Sequence, residues 1–197
     1  MVNKSKKGKL SSKEIDEFLA LPIIARIATV KPDGAPHVAP VWQQWDGEAM
    51  WVIPRSQSSW YANLSREPRV CISCADDINP EHARVTIEGI AEVVSGPVPL
   101  IGQVKQIADE MAIRYMGPEG PSYAAKTADR LRYLVKVTPT KITSWRGEWH
   151  KRYLVTEEMY LMEIVSIIHW TQQMSVWSPI FLFEIHVLGS AEPYMNQ

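Results

Sequence analysis

A run of hydroxyl-bearing residues beside an arginine is the part of the sequence best suited to bind an anion. Arg55, Ser56, Ser58 and Ser59 follow a β-rich stretch and precede a helical pattern, for which Ser58 is the expected N-cap. The first turn of a helix exposes backbone N–H groups without partners, and the helix dipole places positive charge there. Serine hydroxyls and a guanidinium add donors, so this junction predicts a phosphorylated cofactor on a β-scaffold.

Several tryptophans lie close to this junction and offer flat surfaces for a planar ligand. Trp42, Trp45, Trp51 and Trp60 fall within a short span. Aromatic faces can sandwich a planar cofactor or substrate, but tryptophans also fill cores and interfaces. His37 has two interpretations as well, because it could donate to a ring edge or satisfy a structural contact. The sequence leaves these alternatives open.

Other chemistries have little support in the sequence. Cys71 and Cys74, the only cysteines, have a Cys-x-x-Cys spacing, but residues 69–75 have the pattern of a strand. Side chains three positions apart on a strand face opposite ways, and no helix N-terminus lowers the thiol pKa, so packing is the favoured role. The five histidines lack metal-ligand spacing, and no nucleophile elbow, P-loop or zinc-protease motif occurs. We therefore predict no metal site.

The rest of the chain supplies the elements that must position these residues. Strand patterns cover residues 24–30, 37–45, 48–53, 69–75, 84–94, 131–137 and 141–145, and helical patterns begin near residues 11, 58 and 98. Without a regular β-helix-β order, these elements predict a mainly β fold with peripheral helices, a small antiparallel barrel. Pro36 and Pro40 remove ladder donors, so the second strand is expected at an edge, a bulge or a bend.

Composition is that of an ordinary globular protein. Apolar residues make up 46% and charged residues 22% of the 197 residues, and the formal net charge is -1. A near-neutral chain is not a general nucleic-acid binder. No charge-free apolar stretch is long enough to span a bilayer, and no signal-peptide pattern occurs. We therefore expect a cytoplasmic protein without nucleic-acid or membrane partners.

Both ends of the sequence differ from its centre. Residues 1–11 contain four lysines and only three apolar residues, which predicts a flexible basic tail. Residues 154–197 contain two apolar runs, 159–170 and 180–188, that fit either helix or strand. This C-terminal extension could cover a subunit interface or pack on its own barrel. The expected cofactor-binding domain is residues 12–153.

The central segment resembles a known family in the order and spacing of several short motifs. The first are Ile24-Ala25-Arg26-Ile27-Ala28-Thr29-Val30, Asp33-Gly34-Ala35-Pro36-His37-Val38-Ala39-Pro40-Val41-Trp42, and Asn63-Leu64 with Glu67-Pro68-Arg69-Val70. The later ones are Glu88-Gly89, Pro139-Thr140-Lys141-Ile142-Thr143-Ser144-Trp145 and Trp149-His150-Lys151-Arg152-Tyr153. Together they resemble the FMN-binding split-barrel proteins related to pyridoxamine 5′-phosphate oxidase, most closely the branch with deazaflavin-dependent reductases. The resemblance implies an antiparallel split β-barrel.

The resemblance also implies a cofactor site. Family members are typically homodimers that bind FMN, or in some branches coenzyme F-420, in a groove between subunits. By this resemblance Pro40, Val41 and Trp42 lie near the isoalloxazine ring, and backbone donors from Val38 to Trp42 tune its N1 and N5. The residues implied near the phosphate are Arg55, Ser56, Ser58 and Ser59. Some relatives use haem, so the resemblance also leaves open a haem axial ligand. The candidates are His150, His169 and His186.

Trp60 departs from the family's pattern, because members often carry a lysine or arginine in the first turn of this helix. A charged hydrogen bond contributes about 1.5–3 kcal/mol, so its loss weakens binding roughly ten- to a hundredfold. Arg55 and the serine-rich helix start could offset the loss. Alternatively, Trp60 stacks on the ligand, or the chain binds no flavin.

The anion-binding junction and the resemblance together imply a flavin- or deazaflavin-dependent oxidoreductase that transfers hydride to a small organic substrate. The cofactor carries this chemistry while the protein positions it, so no catalytic residue is assigned. Two alternatives stay open. One is a non-catalytic split-barrel module that holds a cofactor or metabolite, and the other is a structural dimer whose groove has lost its ligand.

Overall fold

The structure, a computed structural model, describes residues 7–76 and 81–148. The elements in chain order are α1 (Ser12–Leu19), β1 (Ala25–Val30), β2 (Pro36–Val41), β3 (Gln44–Trp45), β4 (Met50–Val52), α2 (Ser59–Arg66), β5 (Arg69–Ala75), β6 (Glu81–Val98), α3 (Gly102–Met116), α4 (Gly120–Ala125) and β7 (Arg132–Glu148). Most of the predicted basic tail, the extension 154–197 and the three candidate haem-ligand histidines lie outside the described residues. No helix within these ranges is long and apolar enough to cross a bilayer.

The seven strands form a single antiparallel sheet in the order β2-β1-β5-β6-β7-β4-β3. This arrangement confirms the predicted mainly β fold with peripheral helices. It also places β2 at one end of the order, which agrees with the edge position that Pro36 and Pro40 predict.

The main core lies on the inner face of this sheet. Register pairs Ile27 with Ile72 and Ile72 with Ile87, and all three side chains are fully or almost fully buried. Each buried side chain of this size contributes about 1.5–3 kcal/mol. On β5, buried and less buried residues alternate, as a half-buried strand requires.

Alternation on β5 also separates the two cysteines. Cys71 is half-buried and Cys74 fully buried, and both are free thiols. Burial raises the pKa of Cys74 to about 12, so this thiol stays protonated at neutral pH. Burial, followed by the charge of Glu88, also raises the pKa of Cys71. These environments agree with the packing role that the strand pattern favours.

The two longest strands differ from the prediction. The strand predicted at 84–94 runs from Glu81 to Val98, and the two strands predicted at 131–137 and 141–145 are one, β7. Pro139 does not end β7 because it lies opposite Gly89, where the register shifts and a bulge accommodates the missing donor. Gly89 has no Cβ, and a Cβ there would lie 2.6 Å from the carbonyl oxygen of Thr138.

The helices cover the ends of the sheet. The predicted capping box of α1 is confirmed, because Ser11 accepts from the Glu14 backbone and Glu14 accepts from the Ser11 backbone at 2.8 Å. Helix α2 begins after Ser58, as predicted, and Asn63 donates to Thr29 on β1 at 3.1 Å. The predicted loop at 117–121 instead includes the start of α4.

Helices α3 and α4 form an excursion between β6 and β7. A second, smaller core of Leu100, Val104 and Leu134 joins them to the sheet. The start of α4 crosses α3 so closely that a Cβ on Gly120 would collide with the backbone of Ala112. This close crossing fixes the position of α4, which carries Tyr123 and Ala124.

Candidate functional site

A cavity of about 560 Å³ lies where the end of β2, the segment between β4 and α2, and the α3–α4 excursion meet. Its lining consists of Pro40, Val41, Trp42, Ile53, Pro54, Arg55, Ser58, Trp60, Leu100, Ala108, Met111, Tyr123, Ala124, Lys126, Thr127 and Arg132. Most of these side chains are apolar or aromatic, and the charged ones are all cations. Such a lining suits a ligand with a flat apolar part and an anionic part.

The cavity brings together six of the nine residues that the sequence assigned to cofactor binding. They are Pro40, Val41, Trp42, Arg55, Ser58 and Trp60. Val38, Ser56 and Ser59 do not line it. Val38 lies on β2 and is 59% exposed, and the Ser56 backbone donates to the carbonyl oxygen of Leu131 at 2.9 Å. The roles of these three residues remain predictions.

The start of α2 presents free donors to the cavity. Ser58 is the N-cap in an extended conformation, and its hydroxyl makes no capping bond. The hydroxyl and the first backbone N–H groups of α2 therefore remain available to a ligand. Ser59, one residue later, lies instead beside β2, with its Oγ 3.5 Å from Nε2 of His37. This contact gives His37 a structural neighbour outside the cavity.

The ring of Trp42 packs against helices α3 and α4. It stacks on Tyr115 of α3 with ring centroids 5.0 Å apart and planes 5° from parallel, and Tyr123 of α4 lies 6.2 Å away. The Tyr115 hydroxyl donates to the carbonyl oxygen of Ile23 at 2.7 Å and accepts from the Gln43 backbone at 3.3 Å. Burial raises the pKa of Tyr115, so the hydroxyl remains a donor. A ligand ring would meet an aromatic wall that stacking and these two hydrogen bonds hold in place.

The four clustered tryptophans divide between two roles. Trp42 and Trp60 line the cavity, and Trp60 also packs against the main core. Trp45 and Trp51 do not, since their indole N–H groups donate to Asp16 and Asp46, each at 2.7 Å. Two of the four tryptophans are therefore placed to contact a ligand.

Arg55 and Arg132 are held next to each other by the backbone. An isolated antiparallel bridge pairs the two residues and joins the segment after β4 to the start of β7. Burial lowers the pKa of Arg132, and repulsion from Arg55 is the next largest cause. Lys126 lines the same cavity, with its ammonium 6.0 Å from the ring centroid of Tyr123. Three cations thus share one cavity whose described lining contains no carboxylate.

Sequence reasoning missed the contribution of the α3–α4 excursion. Leu100, Ala108 and Met111 come from α3 and the residue stretch before it, and Tyr123, Ala124, Lys126 and Thr127 from α4 and the residues after it. The helical spacing of the α3 residues predicts an apolar face but not what it covers. Arg132 had no local signal, because its position depends on pairing with a residue 77 positions earlier.

Comparison with known proteins identifies the family. A family model for pyridoxamine 5′-phosphate oxidase matches residues 11–146. The chain belongs to this family. No curated protein matches the chain.

Solved structures share the fold. A conserved hypothetical protein of Mycobacterium tuberculosis, Rv2991, is 27% identical with a TM-score of 0.56, and the match covers 69% of this chain and 84% of that one. A protein named F420 reductase is 32% identical with a TM-score of 0.50, and the match covers 64% of this chain and 94% of that one. HutZ, the heme storage protein of Vibrio cholerae, is 22% identical with a TM-score of 0.53, covering 69% and 94%. The fold is therefore the predicted antiparallel split β-barrel.

Proposed function

We propose that the protein is an oxidoreductase that binds FMN or coenzyme F-420 and uses it to transfer hydride to a small organic substrate. The observation that carries the proposal is the cavity, in which a cation cluster adjoins aromatic and apolar walls. Membership of the family and the 32% identity to an F420 reductase support a ring cofactor of this type.

The residues present fit such a cofactor. The cavity volume of about 560 Å³ lies within the range of roughly 300–1,000 Å³ that is usual for cofactor sites. Pro40, Val41 and Trp42 would face the ring. Arg55 and Ser58 would hold the phosphate, together with the first N–H groups of α2.

The division of labour follows from these positions. The bound cofactor supplies hydride transfer, so the chain itself needs no dedicated acid or base. The apolar walls of the cavity would exclude water from the cofactor ring. The stack of Trp42 on Tyr115 would hold the indole in place against that ring. Trp60 supplies a second aromatic surface where other family members often carry a cation.

We also propose that the protein acts as a homodimer through the outer face of the sheet. Register pairs Val38 with Ala28, Ala28 with Cys71 and Cys71 with Glu88, so these residues share one row on this face. Ile90, two residues further along β6, is 42% exposed, and Val38 is 59% exposed. Contiguous exposed apolar surface on a sheet face is typical of an interface.

The absorption spectrum of the freshly purified protein tests the cofactor proposal. We expect visible absorbance and release of a compound with the mass of FMN or coenzyme F-420. If the protein is colourless, added FMN or coenzyme F-420 should still raise its thermal midpoint. A colourless protein whose midpoint responds to neither compound would contradict the proposal.

Turnover separates the enzyme from a non-catalytic binding module. The bound cofactor is first reduced, and candidate acceptors are then added under air and under nitrogen. An enzyme should pass hydride to at least one acceptor faster than oxygen in the buffer reoxidises the cofactor. Failure of every acceptor to exceed that background favours a module that stores or delivers the cofactor.

A further inference from the structure

Arg132 carries a positive charge into the cavity wall without a carboxylate partner among the described residues. The residue is 8% exposed. Its hydrogen bonds go to neutral oxygens: Nη1 donates to the carbonyl oxygens of Thr127 and Arg130, each at 2.7 Å, and Nη2 donates to Oγ1 of Thr127 at 2.6 Å. Burial and the neighbouring cations lower the pKa of Arg132, and the attraction of Asp129 does not offset them. A buried cation whose partners are all neutral destabilises the folded state unless an anion binds beside it.

The guanidinium of Arg132 keeps one edge open. Arginine has five N–H donors, and the three hydrogen bonds use both hydrogens of Nη1 and one of Nη2. No described residue accepts a bond from Nε or from the second hydrogen of Nη2. These two donors form the fork that binds a carboxylate or a phosphate through two parallel bonds.

The cations that line the cavity carry more charge than one phosphate neutralises. Arg55, Lys126 and Arg132 all line it, and none forms an ion pair within residues 7–76 and 81–148. A phosphate monoester carries about -1.5 to -2 at neutral pH. One such group bound at Arg55 and Ser58 therefore leaves about one cation uncompensated.

We infer that Arg132 and Lys126 form a second anion subsite beside the phosphate position at Arg55 and Ser58. Its occupant is a second acidic group on the same ligand, a carboxylate or a further phosphate. Arg132 binds this group through its open edge, and Lys126 adds an exposed charge at the cavity. The inference rests on the proposed function for the identity of the ring, but not for the acidic groups.

Binding of three cofactors to paired variants tests the second subsite. Riboflavin has no acidic group, FMN has one phosphate, and coenzyme F-420 has a phosphodiester and carboxylates. Lys126→Gln and Arg132→Gln should each weaken coenzyme F-420 by about tenfold or more. They should leave riboflavin unchanged and weaken FMN by less than about threefold. Affinity is measured by calorimetry at low salt, where charge interactions are least screened.

Two features of the chain make the comparison sharp. Arg130→Gln removes the same charge from an exposed residue that does not line the cavity, so it should change no affinity by more than about threefold. Lys126 is exposed and its loss should not unfold the protein, so it carries the test if Arg132→Gln is unstable. Equal losses for FMN and coenzyme F-420, or no loss for either, would overturn the inference while leaving the proposed function intact.

Inorganic pyrophosphate separates this inference from the proposed function. If no ring cofactor binds, the proposed function fails, but pyrophosphate should still raise the thermal midpoint more than orthophosphate does. Lys126→Gln should abolish that difference, and Arg130→Gln should preserve it. The absence of any pyrophosphate effect in the unmodified protein would overturn the second subsite as well.

Discussion

At the scale of single residues, Arg55 tests the phosphate position most directly. It is exposed at the cavity, and its side chain makes no hydrogen bond or ion pair with the described residues. Arg55→Gln should therefore leave the fold intact while removing a charge-assisted bond worth about 1.5–3 kcal/mol, which weakens FMN roughly ten- to a hundredfold. Fluorescence titration measures the change, with riboflavin and Arg130→Gln as controls. Unchanged affinity for FMN would remove Arg55 from the site.

The residues of the site were predictable where a local pattern marked them. Arg55 and Ser58 stand at a strand-to-helix junction, and their types alone indicate an anion site. Arg132 and Lys126 have no such pattern. Arg132 reaches the cavity because β7 pairs with the segment after β4, a contact between distant parts of the chain. Single-sequence patterns describe neighbours along the chain and carry no record of such pairing.

At the scale of elements, the crossing of α3 and α4 determines the cavity wall. Gly120→Ala would place a methyl group into the backbone of Ala112 and shift α4. Overpacking of this kind costs about 1–3 kcal/mol, and α4 carries Tyr123 and Ala124 on the wall. We expect a thermal midpoint lower by roughly 2–12 °C and weaker cofactor binding. Scanning calorimetry checks the midpoint, and Ser122→Ala, an exposed change on the same helix, should leave both unchanged.

The elements differ in how well the sequence predicted them. Helices α1 and α2 have N-terminal signals, Ser11 with Glu14 and Ser58, and both begin where these signals predict. The ends of β6 and the continuity of β7 were missed, because Gly96 and Pro139 ordinarily end a strand. Register shifts in the β6–β7 ladder accommodate both residues, and a shift arises from two strands together.

At the scale of the whole molecule, the outer sheet face tests the proposed homodimer. Ile90→Glu introduces a charge into the centre of that face and should weaken dimerisation by about tenfold or more. Ile113→Glu makes the same change at a residue of α3 that is 50% exposed, and should leave the dimer intact. Sedimentation velocity over a concentration series measures both. A wild-type protein that sediments as a monomer at every concentration would contradict the homodimer.

The pairing of Val98 with Arg132 has a consequence for how this protein could diversify. The chain leaves the barrel at Val98 and returns to it at Arg132. Residues 99–131 therefore form an insert whose two ends are joined by strand pairing. The closure entropy of a flexible loop added to this segment is small, about 0.6 kcal/mol for each doubling of the loop length. Mutations in this insert can therefore change the cavity wall while the strands stay unchanged. We therefore expect substitutions in residues 99–131 to change ligand preference without altering the strand pairing.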